Sequence, residues 1–266
     1  MKVFNVSFFK RSFISSLVIL IFSINLSFAK EPFSSDIQGS SMVKEDKSTS
    51  EMFIVVIDPG HGGDNDGAVG PTGLKEKDIT LKISEMLKEF IKERSGAKVI
   101  LTREKDEFPS IDERTYVANN NESDIFISIH TDADFDPKKK GFALFYFDPD
   151  YRNINLRLLK KKDKGIILWD NVQLKFINKS RILAEAIKKS IDEQDFSENT
   201  WIKKAPISIL KGARMPAIMI TVGYISNPEE EMRLKDVVYL TRIAEAIYKG
   251  LEKYRERDKE DETPKG

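Results

Sequence analysis

Short, mainly apolar runs alternate along this chain with segments whose apolar residues recur at helical spacing. A short apolar run that ends in a turn is typical of a strand buried on both faces of a sheet. Apolar residues three and four positions apart are typical of a helix packed on one side. Their alternation predicts an α/β fold: a twisted, mostly parallel or mixed sheet flanked by helices on both faces. The predicted strands are residues 52–57, 97–102, 124–129, 141–147 and 217–222, and the predicted helices are 78–93, 110–119, 178–192 and a pair within 228–251.

The chain has 266 residues, which is enough for one large domain and a leader. We assign residues 52–254 to the domain, with a polar, lysine-rich insertion at about residues 148–164. Residues 30–51 are rich in Ser, Lys, Glu and Asp. They form a predicted flexible tether, because such a segment buries too little to offset the entropy of ordering. Residues 255–266 are predicted to be a frayed, charged tail.

The first 29 residues have the pattern of an export signal. A positive start is followed by an apolar stretch at residues 13–28, and Ser27 and Ala29 are small residues at the two positions that a signal peptidase reads. An uncleaved membrane anchor is the alternative, because the apolar stretch nearly reaches the length that spans a bilayer. Contact with a membrane is expected only in that case. Either way, the domain is predicted to be exported, to the periplasm or the cell wall.

Charge and cysteine content exclude several classes of site. The 43 basic and 43 acidic residues cancel, so the chain lacks the positive excess with which proteins bind nucleic acid. The sequence has no cysteine, which rules out disulfides, thiolate ligands and a cysteine nucleophile. Any bound metal must therefore be held by His, Asp or Glu.

The chain contains only two histidines, and both lie at or just after the end of a predicted strand. His61 stands in a glycine-rich segment after the first strand, and His130 directly follows the third. Ligands of open α/β sheets collect at the carboxyl ends of strands, so this placement favours a metal site over two structural histidines. A catalytic zinc ion takes three protein ligands and keeps one position open. Without cysteine, the third ligand must be a carboxylate.

Across residues 53–252 the chain carries, in order, Asp-Pro-Gly-His-Gly-Gly (58–63), Leu-Lys-Glu-Lys-Asp (74–78), Thr-Arg (102–103), Asp106, Arg114, Asn119, Ser-Ile-His-Thr-Asp-Ala (128–133) and Gly-Tyr-Ile-Ser-Asn-Pro-Glu-Glu (223–230). This set of motifs resembles the zinc-dependent N-acetylmuramoyl-L-alanine amidases of family 3. The recurrence of these elements in order is more specific than any one of them. The resemblance implies that His61, Glu76 and His130 bind Zn²⁺. It also implies hydrolysis of the amide between N-acetylmuramic acid and the L-alanine that begins the peptide stem, with peptidoglycan as the partner and an unknown activator protein as a possible second one.

The chemistry of such a site agrees with hydrolysis, because zinc with an open position lowers the pKa of a bound water towards ~7 and polarises a carbonyl group. Candidates to orient the ligands or to contact substrate are Asp58, Asp132 and Asn227, and Asp124 is a further candidate to orient a ligand imidazole. Structural roles are favoured for Arg103 and Arg114, and core packing is favoured over sugar stacking for Trp169, Trp201 and Tyr224.

One position departs from the family pattern. The family has a catalytic general-base Glu near the end of its last strand, and this sequence has Thr221 there. A hydroxyl accepts no proton from zinc-bound water at useful rates, and loss of a general base costs about 10²–10⁴-fold in rate. Three interpretations stay open: another acid substitutes, the protein is a slow amidase, or it is a catalytically impaired relative that binds zinc and peptidoglycan as a regulator. The acids considered as substitutes are Asp64, Asp66, Asp132, Glu229 and Glu230.

Overall fold

The computed structural model of the protein describes residues 52–149, 169–194, 196 and 199–262. The predicted leader (1–29), the predicted tether (30–51) and nearly all of the predicted insertion lie outside these residues. The described part contains six strands, six α-helices and one 3₁₀ helix. In chain order these are β1 (Ile54–Pro59), α1 (Glu76–Ser95), β2 (Lys98–Leu101), α2 (Ile111–Asn120), β3 (Ile125–Asp132), β4 (Phe142–Phe147), the 3₁₀ helix (Trp169–Lys175), α3 (Ile177–Asp192), β5 (Thr200–Ala205), α4 (Ser208–Lys211), β6 (Ala217–Tyr224), α5 (Pro228–Leu234) and α6 (Val237–Glu262).

The six strands form one mixed sheet in the order β2-β1-β3-β6-β4-β5. The first four strands in this order are parallel to each other. β4 runs antiparallel to β6, and β5 lies parallel to β4 at the edge. The predicted fold class, a mostly parallel or mixed sheet with helices on both faces, is therefore confirmed. Because β1, β3 and β6 run in one direction, their carboxyl ends meet at a single edge, and β4 begins beside the end of β6.

Each face of the sheet has its own hydrophobic core. The larger core packs α1, α3 and α6 against one face and includes Ile57, Ile127 and Ile220. The smaller core packs α2 and α4 against the other face and includes Val56 and Phe126. Alternate strand residues supply the two cores because successive side chains point to opposite faces. His130 and Thr221, near the ends of β3 and β6, point to the face that carries α2 and α4.

Two features of the helices refine the sequence analysis. The side chain of Ser110 accepts a hydrogen bond from Glu113 N, and the Glu113 side chain accepts one from Ser110 N, so a capping box begins α2 where the sequence predicts a helix. The predicted fraying does not hold for residues 255–262, because α6 continues to Glu262, and residues 263–266 lie outside the described part of the chain. An ion pair between Lys179 of α3 and Asp258 of α6 (2.9 Å) connects this last part of α6 to the domain.

Strand β5 was not predicted. Its sequence, Thr-Trp-Ile-Lys-Lys-Ala, carries two lysines and has mostly exposed or half-exposed residues. Charged residues are typical of edge strands, which they protect from pairing with other chains, and they remove the apolar run that marks a buried strand. Among the residues that the structure describes, no helix combines the length and apolar character needed to cross a membrane.

Candidate metal centre

His61, Glu76 and His130 come from three separate parts of the chain and meet at the carboxyl edge of the sheet. His61 lies in the loop after β1, Glu76 is the first residue of α1, and His130 is near the end of β3. Each offers one potential ligand atom, and these atoms lie within 4.8 Å of one another. The two imidazole rings are nearly perpendicular (81°), with centroids 5.0 Å apart. The structure thus brings together all three residues that the sequence named as ligands.

The Glu76 carboxylate lies between the two imidazoles and is only 3% exposed. One oxygen, Oε1, accepts a hydrogen bond from Thr131 N (2.9 Å) and lies 3.0 Å from His130 Nδ1. The other, Oε2, accepts from Ala68 N (2.8 Å) and lies 3.2 Å from His61 Nε2. Burial works against ionisation, but hydrogen bonds with His130 and His61 and the backbone donor of Ala68 hold the pKa of Glu76 far below its usual range. The carboxylate is therefore ionised and fixed in place, as a ligand must be.

The imidazole of His61 is oriented by Asn65. His61 Nδ1 lies 3.0 Å from Asn65 Oδ1, which also accepts from Gly67 N. Because the amide oxygen accepts only, His61 Nδ1 donates to it, while Nε2 lies on the side of the ring that faces Glu76 Oε2. The hydrogen bond to Glu76 raises the pKa of His61 above its ordinary value, although burial opposes the shift. Sequence reasoning missed Asn65, and the available indication was an amide four residues after a histidine in a glycine-rich loop.

The backbone at several positions lies unusually close to the three side chains. His61 has a left-handed conformation (φ 60°), which is uncommon for a residue with a side chain and is found at functional sites. A Cβ atom at Gly60 would lie 2.5 Å from Cε1 of His130, and one at Gly67 would lie 2.6 Å from Oε2 of Glu76. Glycine at these two positions leaves the room that the ligand side chains occupy.

The donor set fits a divalent transition metal. Two imidazole nitrogens and one carboxylate oxygen are ligands that catalytic zinc uses, with a further position left for water or substrate. The ring nitrogen of His61 that is not directed at Glu76 is hydrogen-bonded by an amide oxygen, which is the support that metal-ligating histidines normally have. The residues present therefore satisfy the chemistry of a zinc site.

Asp58 lines the same cleft as His61 and His130, and its carboxylate supports the loop that carries His61. It is buried, pairs with Arg114 (2.8 Å) and accepts hydrogen bonds from the hydroxyls of Thr102 (2.5 Å) and Ser128 (2.6 Å). Arg114 also donates to the carbonyl of His61 (2.8 Å). The Asp58–Arg114 pair thus positions the backbone of a candidate ligand, and the structural role favoured for Arg114 agrees with these contacts.

Arg103 has a similar role on the other side of the loop. Its guanidinium donates to the carbonyl oxygens of Gly60 (3.0 Å) and Lys77 (2.8 Å), so it joins the loop after β1 to the first turn of α1. The Lys77 ammonium in turn donates to Gly63 O (2.7 Å) and pairs with Asp106 (2.9 Å). Burial, the largest cause, and the neighbouring Arg114 lower the pKa of Arg103. These contacts fix the relative positions of His61 and Glu76.

The remaining orienting candidates lie in different places. Asn227 caps α5 by accepting from Glu229 N (2.8 Å) and Glu230 N (3.2 Å). Asp124 accepts from Ile54 N (2.7 Å) at the beginning of β1, which is the opposite edge of the sheet from the cluster. Its predicted role in orienting an imidazole is therefore wrong. Asp132 lies two residues after His130 on the same face of β3.

Thr221 lies directly beside His130. The two residues are register partners on the parallel strands β6 and β3, so their side chains point to the same face. Thr221 is buried, and its hydroxyl is 3.4 Å from the carbonyl oxygen of Ala143 on β4. The position at which the resemblance implies the family's general base is thus adjacent to the cluster.

The acids considered as substitutes for that base differ in their contacts. Asp66 is paired with Lys75 and Lys77 (both 3.0 Å). Glu230 is buried and accepts from Tyr224 N (2.6 Å) and Gly141 N (3.0 Å), although burial raises its pKa. Glu229 follows the helix cap, and Asp64 is exposed in the turn after His61. Asp132 is the one of the five that shares a strand and a face with His130.

The cluster opens into a cleft of about 270 Å³ between the loop before α2 and the segment around α4. Its walls include His61 and His130 together with Phe108, Ile111 and Met219. The wall on this side of the cluster is therefore mainly apolar. The core packing favoured for Trp201 is wrong, because this residue is 38% exposed on β5, whereas Tyr224 is buried.

A mixed α/β sheet with two histidines and a carboxylate gathered at the carboxyl edge of its parallel strands defines a domain with a candidate catalytic metal centre. The family model of the N-acetylmuramoyl-L-alanine amidases matches residues 55–253. The chain is also 30% identical over 244 residues to the N-acetylmuramoyl-L-alanine amidase AmiA of Escherichia coli K12, a match that covers 85% of this chain and 84% of that protein. The chain belongs to the N-acetylmuramoyl-L-alanine amidase family.

Two further comparisons place the domain among its relatives. The N-acetylmuramoyl-L-alanine amidase AmiC of Escherichia coli O6:H1 is 28% identical over 219 residues, which cover 76% of this chain and 52% of that protein. The chain thus spans about half the length of this relative. The solved structure of the CwlD amidase from Clostridioides difficile, in complex with the GerS lipoprotein, superimposes with a TM-score of 0.63 at 28% identity over 77% of this chain and 100% of the solved chain.

Proposed function

We propose that this protein hydrolyses the amide between N-acetylmuramic acid and the L-alanine of the peptidoglycan stem, and that it uses one zinc ion held by His61, Glu76 and His130. The proposal rests above all on the convergence of three side chains from distant parts of the sequence, with ligand atoms within 4.8 Å. Membership of the amidase family supports the substrate and the reaction. The export pattern of residues 1–29 supports an exported protein, acting in the periplasm or cell wall where peptidoglycan is found.

Neighbouring groups hold the candidate ligands in position. His61 Nε2 and the Glu76 carboxylate are presented to the ion by Asn65 and by the backbone N–H groups of Ala68 and Thr131. A zinc ion bound there supplies Lewis-acid polarisation of the scissile carbonyl and activation of a water nucleophile. The apolar walls of the cleft beside the cluster offer an uncharged part of the substrate a surface on which to pack.

The proton acceptor is the part of the site in which this chain departs from the family. Thr221 lies where the family has its general base, and its hydroxyl accepts no proton at neutral pH. We therefore expect a slow amidase, with a rate about 10²–10⁴-fold below that of a relative with the acid. The binding-only regulator remains the alternative outcome of the test, and the relatives described above, which are all named as amidases, give it no support.

Digestion of purified peptidoglycan by the full chain tests the proposal. Release of stem peptides with a new L-alanine amino terminus, abolished by a chelator and restored by Zn²⁺, is the expected result. Elemental analysis is expected to find about one zinc per chain, and Glu76→Gln is expected to lose both the metal and the activity. Zinc binding without release of peptides from any peptidoglycan would show a binding protein instead.

A further inference from the structure

A second cleft, distinct from the apolar one, opens beside β5 and the segment that precedes β4. It has a volume of about 350 Å³ and is strongly basic. We call it the basic cleft. It is lined by Lys138, Lys139, Lys140, Trp201, Lys203 and Tyr224.

The sheet register connects the basic cleft to the candidate metal centre. His130 of β3 is the partner of Thr221 on β6, Thr221 is the partner of Ala143 on β4, and Ala143 is the partner of Trp201 on β5. These four residues form one row on the same face of the sheet. Three spacings of about 4.8 Å between neighbouring strands put Trp201 about 14 Å from His130 along this row.

Four lysines give the basic cleft its positive charge. Lys139 pairs with Asp134. Lys138, Lys140 and Lys203 form no ion pair with any residue in the described part of the chain. The Lys203 ammonium lies 5.6 Å from the ring centroids of both Trp201 and Phe145, so its stem lies on an aromatic surface. A cleft of this kind suits an anionic ligand with an apolar portion.

The two arms of the proposed substrate differ in charge. The carboxyl group of muramic acid is used in the scissile amide, so the N-acetylated sugar arm is neutral. A linear peptide stem ends in a carboxylate. An extended chain advances about 3.3–3.6 Å per residue, so about four residues span the ~14 Å between His130 and Trp201.

We propose that the basic cleft binds the C-terminal carboxylate of the stem peptide, at a distance of about four residues from the scissile amide. This inference rests on the proposed function. It gives the substrate a direction across the metal centre: the peptide stem extends from His130 towards the β5 edge of the sheet, and the neutral glycan lies towards the apolar cleft beside Phe108 and Ile111. The basic cleft then selects substrates by the charge and length of the stem.

A pair of matched substrates tests the proposal: an N-acetylmuramoyl tetrapeptide as the free acid and as the C-terminal carboxamide. We expect the wild-type chain to prefer the free acid by about five-fold in kcat/KM, a preference typical of one partly exposed ion pair. The double variant Lys140→Gln/Lys203→Gln is expected to lose the preference, and Lys82→Gln, an exposed lysine of α1 outside the basic cleft, is expected to keep it. Higher salt is expected to weaken the preference, because the charges are exposed.

A binding measurement separates this proposal from the proposed function. The L-alanyl tetrapeptide, as acid and as amide, is titrated into the full chain, and the fluorescence of Trp201 is followed with Trp201→Phe as the control. Tighter binding of the acid than of the amide, with a smaller difference in the double lysine variant, supports carboxylate binding in the basic cleft even if no turnover occurs. Equal binding and equal kcat/KM of acid and amide, in a protein that hydrolyses both, would overturn the role proposed for the basic cleft. The amidase proposal would remain intact.

Discussion

The side chains of His130 and Thr221 are neighbours on adjacent parallel strands, because their Cα atoms are register partners on β3 and β6. Both point to the face of the sheet that carries α2 and α4. The Thr221 hydroxyl is 3.4 Å from the carbonyl oxygen of Ala143. A carboxylate at position 221 would therefore lie beside the candidate metal centre, and the threonine there leaves this place without a base.

Replacement of Thr221 by Glu is expected to increase amide hydrolysis by about ten-fold or more, the lower part of the range for a general base. Thr221→Gln is the matched control, because it has a similar size and accepts no proton. Initial rates on purified peptidoglycan measure the effect, and zinc content and thermal unfolding show that each variant is intact.

Equal rates for Thr221→Glu, Thr221→Gln and the wild-type protein would contradict the assignment of position 221. Asp132→Asn then identifies a substitute base, since Asp132 shares a strand face with His130. A loss of about 10²-fold or more in that variant would assign the role to Asp132.

Replacement of Asn65 by Ala is expected to weaken zinc binding by about 10–100-fold, the usual effect of removing a group that orients a ligand histidine. The reason is loss of the 3.0 Å contact that fixes the His61 ring. Competition with a chromophoric chelator measures the affinity. Asn121→Ala, which removes an amide that contacts only Val117 O at the end of α2, serves as control, and equal affinities of the two variants would refute the role of Asn65.

Gly60→Ala is expected to displace His130, because the added Cβ would lie 2.5 Å from its Cε1. Gly60 does not have a positive φ, so an alanine there adds a steric conflict without backbone strain. We expect substoichiometric zinc and loss of hydrolysis in a chain that remains folded by circular dichroism. Gly212→Ala, where the nearest atom is 3.7 Å away, is the control, and full zinc occupancy in Gly60→Ala would show that the packing around His130 is looser than the structure indicates.

Asp58→Asn is expected to lower the free energy of unfolding by about 3–5 kcal/mol, because it leaves the charge of buried Arg114 without a partner. Urea denaturation measures this change at a fixed zinc concentration. Glu104→Gln removes an exposed partner of Lys88 and is expected to cost less than about 1 kcal/mol. Similar losses in the two variants would mean that the Asp58–Arg114 pair does not support the loop as described.

The sequence alone determined the alternating elements, the positions of both histidines at strand ends, the exclusion of thiolate chemistry and the threonine in place of the family's acid. These follow from local pattern and composition. The sequence did not identify β5, because its lysines interrupt the apolar run that indicates a strand. Its place at the edge of the sheet comes from its pairing with β4. The sequence also did not identify Asn65 as the support of His61.

Only the tertiary structure decided which side chains meet. Strand order and register bring His130, Thr221, Ala143 and Trp201 into one row, although they lie far apart along the chain. The same packing places Asp124 at the opposite end of the strands from the site and brings Asp58 into contact with Arg114. Contacts of this kind depend on long-range pairing of strands and helices, and local residue preferences carry no information about that pairing.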